Sequence, residues 1–166
     1  MKPRILHFVL ALSFALASCA GLTSPTEAET TALDQAQQTL IDFFDLLVAG
    51  NYDRAAALHV DDADFYDTLR QNNPEVDPSD HAALLQAACT FQLRCMRILR
   101  VVSRQGLGVN QFQFVVEFAN LDGSLFVLGP CCGADETSMP PVSQFEFLVE
   151  NDGGFYLVLS SPIYVP

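Results

Sequence analysis

His59 is the residue best placed by type to move protons near neutral pH, and two carboxylates, Asp61 and Asp62, follow it closely. Either could orient the imidazole as a general base. A histidine closing an apolar helical stretch also has a simpler reason to be there, because the helix dipole favours a cation at that end. The structural reading is the default. His81 opens a later helical stretch and reads as surface. Asp61, Asp62, Asp64, Asp67, Glu75, Asp77 and Asp80 stand against one arginine, Arg70, with Asn72 and Asn73 among them. Such oxygens could ligate calcium, yet Pro78 stands where an EF-hand loop needs glycine. The default is a solvated acidic surface, and no metal is expected. No serine lies in a G-x-S-x-G elbow, and no glycine loop is suited to cradle phosphate.

The first residues carry an address. Lys2 and Arg4 precede an apolar run from Ile5 to Ala17, which ends in Leu16-Ala17-Ser18-Cys19. This order of charge, apolar run and small residues is a secretory signal peptide. Its apolar run of about a dozen residues is short of the ~20 that a spanning helix requires. The ending resembles a bacterial lipoprotein lipobox, which implies cleavage before Cys19 and lipid on its thiol. The expected organisation is a signal peptide over 1–18, lipidated Cys19 with a flexible spacer over 19–31, and one domain over 32–166. The expected location is the bacterial cell envelope, on the extracytoplasmic side of a membrane.

Removing Lys2 and Arg4 leaves six arginines against twenty acids, a mature charge of −14. That surface repels phosphate backbones and excludes nucleic acid as a partner. It also repels anionic headgroups, so attachment to the membrane falls to acyl chains at Cys19. Half of the sequence is hydrophobic and thirteen residues are Phe, enough for a packed core.

With Cys19 assigned to lipid, Cys89, Cys95, Cys131 and Cys132 remain, an even set that reads as a disulfide framework in an exported chain. Three connectivities are open. Cys89–Cys95 would close a small loop and leave a vicinal Cys131–Cys132 pair, either strained or a redox switch. Crossed pairing would staple the 89–95 segment to the 129–133 loop. A four-cysteine zinc site fits the spacing poorly.

Helical periodicity marks Leu33 to Leu47, with Thr31 as N-cap and Gly50 as C-cap, then Tyr52–His59, then Ala82–Ala88. Asp77 is expected to cap the last of these, with Pro78 at its first position. From Arg94 onward the period becomes strand-like: Ile98–Val102, Gln111–Phe118, a turn at Asp122-Gly123 into Ser124–Leu128, and Gln144–Glu150. A final turn, Asn151 to Gly154, leads to Phe155, Leu157 and Leu159. Helices first and a hairpin-connected, mostly antiparallel sheet after them predict an α+β fold.

Phe44 to Asp67, reading FDLLVAGNYDRAAALHVDDADFYD, resembles the NTF2-like (cystatin-like) family: an Ala-Gly-Asn turn, a short helix ending in Leu, then Asp-Asp-Ala. The resemblance implies helices packed on a curved sheet as a cone, and often a homodimer through the open sheet face. Enzymes of the ketosteroid-isomerase branch use a cone carboxylate as base and hydroxyl donors to hold an enolate oxygen. By that resemblance Asp67 takes the place of the base. The tyrosine expected on the first helix falls at Phe43, which has no hydroxyl, and Tyr66 is a conceivable substitute donor with His59 assisting.

Arg94, Arg97, Arg100 and Arg104 hold four of the six mature arginines. They are expected to form salt bridges or a contact surface. Phe112, Phe114, Phe118, Phe145 and Phe147 could line an apolar pocket or fill a closed core. The expectation is a lipid-anchored, NTF2-like, non-enzymatic module without cofactor, binding a small apolar ligand or a protein partner. The alternatives are a ketosteroid-isomerase-like enzyme using Asp67 and an interaction module with a filled core.

Overall fold

The computed structural model describes residues 27–61 and 63–164. The stretch expected to be a signal peptide, Cys19 and Asp62 lie outside the described residues. Four helices come first: α1 (Glu27–Val48), α2 (Tyr52–Ala56), α3 (Ala63–Asn72) and α4 (His81–Phe91). Six strands follow: β1 (Leu93–Arg94), β2 (Arg97–Gly106), β3 (Gln111–Ala119), β4 (Phe145–Asp152), β5 (Phe155–Val158) and β6 (Ile163–Tyr164). The class is α+β, with an antiparallel four-stranded sheet in the order β2-β3-β4-β5 and a small β1–β6 ladder beside it.

Helix α1 begins at Glu27, inside the stretch expected to be spacer, and Thr31 is an interior residue whose hydroxyl donates to the Glu27 carbonyl. Glu27 and Glu29 in its first turn suit the positive end of the helix dipole. Gly50 does end it. At φ +72 it lets Asn51 N–H reach the Leu46 carbonyl and Gly50 N–H reach Leu47, which satisfies two carbonyls of the last turn.

Helix α3 was not expected, because its acids hide an apolar stripe in which Tyr66 and Leu69 are buried. The cap of α4 is Asp80, whose carboxylate accepts from Ala83 N–H. Asp77 instead closes a turn onto Ser79 before the helix starts.

Sheet pairing also departs from expectation at one place. Residues 124–128 form isolated bridges to Ala119 and Val142 rather than a strand. On the edge of β3 away from β2, β4 runs opposite Gln111 to Val116. Only the end of that edge is left for Leu125 and Phe126. The β4–β5 hairpin turns on Gly153 (φ +59) and Gly154 (φ +97), the two positive-φ positions of the hairpin turn that matches strand twist. Tyr156 and Val158, not Phe155, then point inward: Phe155 is exposed and Val158 is buried.

Helix α1 lies across the sheet with Ala36, Leu40, Phe43, Phe44 and Leu47 inward. Phe44 packs edge-on to Phe118 and Phe147, at 4.9 and 5.0 Å between ring centres. Phe112, Phe114, Phe118 and Phe147 are at most 3 % exposed, so these rings fill a core and leave no ligand-facing surface. Phe145 is half-buried at the edge, stacked on Phe126.

Candidate functional site

The turn after α2 carries the chain beside the last strand of the sheet. Val158 N–H donates to Leu58, and Val60 N–H donates to Val158. This pairing pins His59 inside the molecule, 5 % exposed. Its Nδ1 donates to the Val60 carbonyl at 2.8 Å. Phe43, Phe65 and Tyr66 surround the ring at 4.9–5.7 Å. Asp61, expected to orient this histidine, instead lies 3.6 Å from His81 Nε2.

Tyr66 is wholly buried on α3 and its ring stacks on His81, 3.8 Å between centres. Its hydroxyl has no hydrogen-bond partner among the described residues. Burial, and then the nearby Asp61 carboxylate, push its pKa up to about 12 against the opposing pull of Arg70. The phenol is therefore a neutral donor sealed from solvent.

Asp67 is the next residue, and about 100° of helical rotation turns it away from Tyr66. Its side chain is 59 % exposed and bonded to Arg70 Nη1 at 2.7 Å. Arg70 also donates to the Pro78 carbonyl and lies 3.2 Å from His81 Nε2, so it ties α3 to the start of α4. The expected carboxylate base thus stands on the surface in an ion pair, and the expected donor stands inside. Phe43 fills core beside His59. Base and donor do not converge.

The arginines also find partners other than the acidic 61–80 stretch. Arg97 and Arg104 reach α1 at Asp45 and Asp34. Arg100 donates to Glu117 on β3. These arginines do not sit on one regular strand: β2 has two register shifts against β3, and Arg94 lies on β1. Glu117 is almost buried, bonded by Arg100 at 2.6 Å and by Gln144 at 3.2 Å. The Arg100 bond, and then that from Gln144, holds its carboxyl below the usual carboxylate range.

A concave surface with a more apolar lining lies elsewhere. Cys89 and Cys95 form a disulfide, Cα atoms 5.5 Å apart, which joins the last turn of α4 to the link before β2. The pairing is not the crossed one and leaves no four-cysteine zinc site, and Cys131 and Cys132 are free thiols instead of the second disulfide expected from the even set. Beside the Cys89–Cys95 disulfide opens a cleft of about 910 Å³. Val48, Leu93, Met96 and Phe126 give it an apolar floor, while Arg94, Arg97 and the Asn120–Gly123 turn form its rim. Arg97 is engaged by Asp45, whereas Arg94 is exposed and enters none of the ion pairs among the described residues. Sequence reasoning missed this cleft, because its lining comes from α1, α4, β1, β2 and a turn that share no spacing signal.

Comparison of the chain with protein-family models, with curated proteins and with solved structures finds no match.

Proposed function

We propose that this is a lipid-anchored NTF2-like domain of the bacterial cell envelope, and that it binds a small amphipathic ligand in the cleft beside the Cys89–Cys95 disulfide. The cleft carries the reading. It joins an apolar floor to Arg94, which enters none of the ion pairs among the described residues, and this suits an aliphatic body ending in an anion. The filled Phe interior favours this site over a cone pocket, and the outward Asp67 favours binding over enolate chemistry. The lipobox-like Cys19 supports the anchor. Among the described residues no helix is long and apolar enough to cross a membrane. Helices laid on a bulged antiparallel sheet support the NTF2-like assignment.

Dodecanoate titrated into the detergent-solubilised chain tests the site by calorimetry. One molecule should bind per chain, Phe126→Asp should abolish binding, and Arg94→Glu should weaken it about tenfold, the effect of about 1.4 kcal/mol. Saturable binding that both variants retain would move the ligand elsewhere, and no binding at all would hand the role to a protein partner. Membrane release of Cys19→Ser tests the anchor separately.

A further inference from the structure

A second cysteine pair lies in the loop between Leu128 and Val142, which pair with each other through two backbone hydrogen bonds and close it at the base. Inside the loop Asp135 accepts from Thr137 N–H, Ser138 N–H and the Ser138 hydroxyl, and Met139 N–H donates to the Asp135 carbonyl. That helical turn brings Met139 back over the start of the loop. Cys131 N–H points at its thioether sulfur, 3.5 Å away. Ala134 N–H donates to the Cys131 carbonyl across a turn in which Cys132 (φ +61) and Gly133 (φ +86) are both left-handed. Cys132 is the one non-glycine residue with positive φ among the described residues. Its conformation sets the two thiols side by side, the Cys132 thiol donating to the Cys131 sulfur at 2.8 Å.

Two thiols and a thioether in one short loop are soft donors. Soft sulfur ligands select Cu(I), whereas structural zinc wants four ligands of N or S type in a tetrahedron. No group of three or more His, Cys, Asp or Glu is placed to hold a metal among the described residues, and the Asp135 carboxylate is already occupied within its own turn. Asp135 and Glu136 add negative charge to the loop, in a chain that is strongly acidic, and so draw cations. We infer that Cys131, Cys132 and Met139 form a binding site for monovalent copper. On capture both S–H bonds break, the two protons pass to water, and two Cu–S bonds form. The Met139 thioether adds a neutral third donor, and copper stays Cu(I) throughout. Both thiols must lose their protons to bind, so protons compete with the metal and affinity rises with pH.

The test is anaerobic titration of the full chain, with Cys131 and Cys132 reduced, by Cu(I) against a chromophoric copper chelator. One Cu(I) per chain is expected, and it should protect both cysteines from alkylation as read by peptide mass spectrometry. Cys131→Ser or Cys132→Ser should lower affinity by more than about 100-fold, beyond the 10–100-fold typical of supporting groups, and Met139→Leu by about tenfold. A variant with Cys89 and Cys95 both changed to Ala should keep the copper, which excludes capture by a reduced disulfide. Unchanged affinity in both serine variants, or no uptake by the reduced chain, would overturn the inference.

Discussion

The Phe interior and the disulfide cleft are built from the same kinds of side chain and end in opposite states. Phe118 on β3 packs against Phe44, Phe145 and Phe147 and is closed off. Phe126, eight residues later, stacks on Phe145 and keeps 9 % exposure on the lining of the open cleft. The difference is coverage. Helix α1 lies across the sheet and covers the Phe cluster, but it ends at Val48, which itself lies on the lining of the cleft. Apolar content alone does not make a pocket; the end of a covering element does.

The widest separation between the two regions should appear on truncation. Phe118→Ala should destabilise the domain by about 3–5 kcal/mol, the usual cost of emptying a closed aromatic site, read as a shift of the urea midpoint. Phe126→Ala should cost clearly less, since its site is already open on one side. Equal losses would erase the distinction. Next in size is the wall of the cleft: changing Cys89 and Cys95 to Ala should cost about 2 kcal/mol, the chain-entropy value for so short a loop, with the Phe interior unaffected by near-ultraviolet circular dichroism.

Acid should act more diffusely. The carboxyls of Glu117, Asp77, Asp122 and Asp135 are held low by hydrogen bonds, from Arg100 for Glu117 and from nearby serine groups for the others. Their stabilisation is complete above the unfolded carboxylate pKa of about 4 and is lost as pH falls through the lower folded values. Glu117→Gln should flatten that acid limb of the stability curve. The smallest effect is expected at Tyr66. Its unbonded hydroxyl gains nothing from burial, so Tyr66→Phe should raise stability by up to about 1 kcal/mol. In the parent chain, stability held by the neutral phenol is complete below about pH 10 and lost as pH rises through about 12. The variant should lose that alkaline step in a pH-dependent melt.

The α1 stripe, the Gly50 stop, the β3 and β4 alternation and the Gly153-Gly154 turn were all legible in the sequence. Each rests on local periodicity or on backbone freedom that only certain residues allow. The start of α1 and all of α3 were misread because acidic residues resemble a solvated spacer until one face is packed. Whether Asp67 and Tyr66 meet in a site depended on which face of an unrecognised helix each occupied, a matter settled by the packing of α3 on α4 through Tyr66 and His81. The cysteines divide in the same way. Cys89, Cys95, Cys131 and Cys132 were visible in the chain, while the Cys89–Cys95 pairing required the end of α4 to meet the start of the sheet. Composition and short-range spacing therefore determined the class of fold, the acidity and the apolar faces. Only the tertiary structure decided which apolar surface stayed open, because an opening is set by where distant elements stop covering one another.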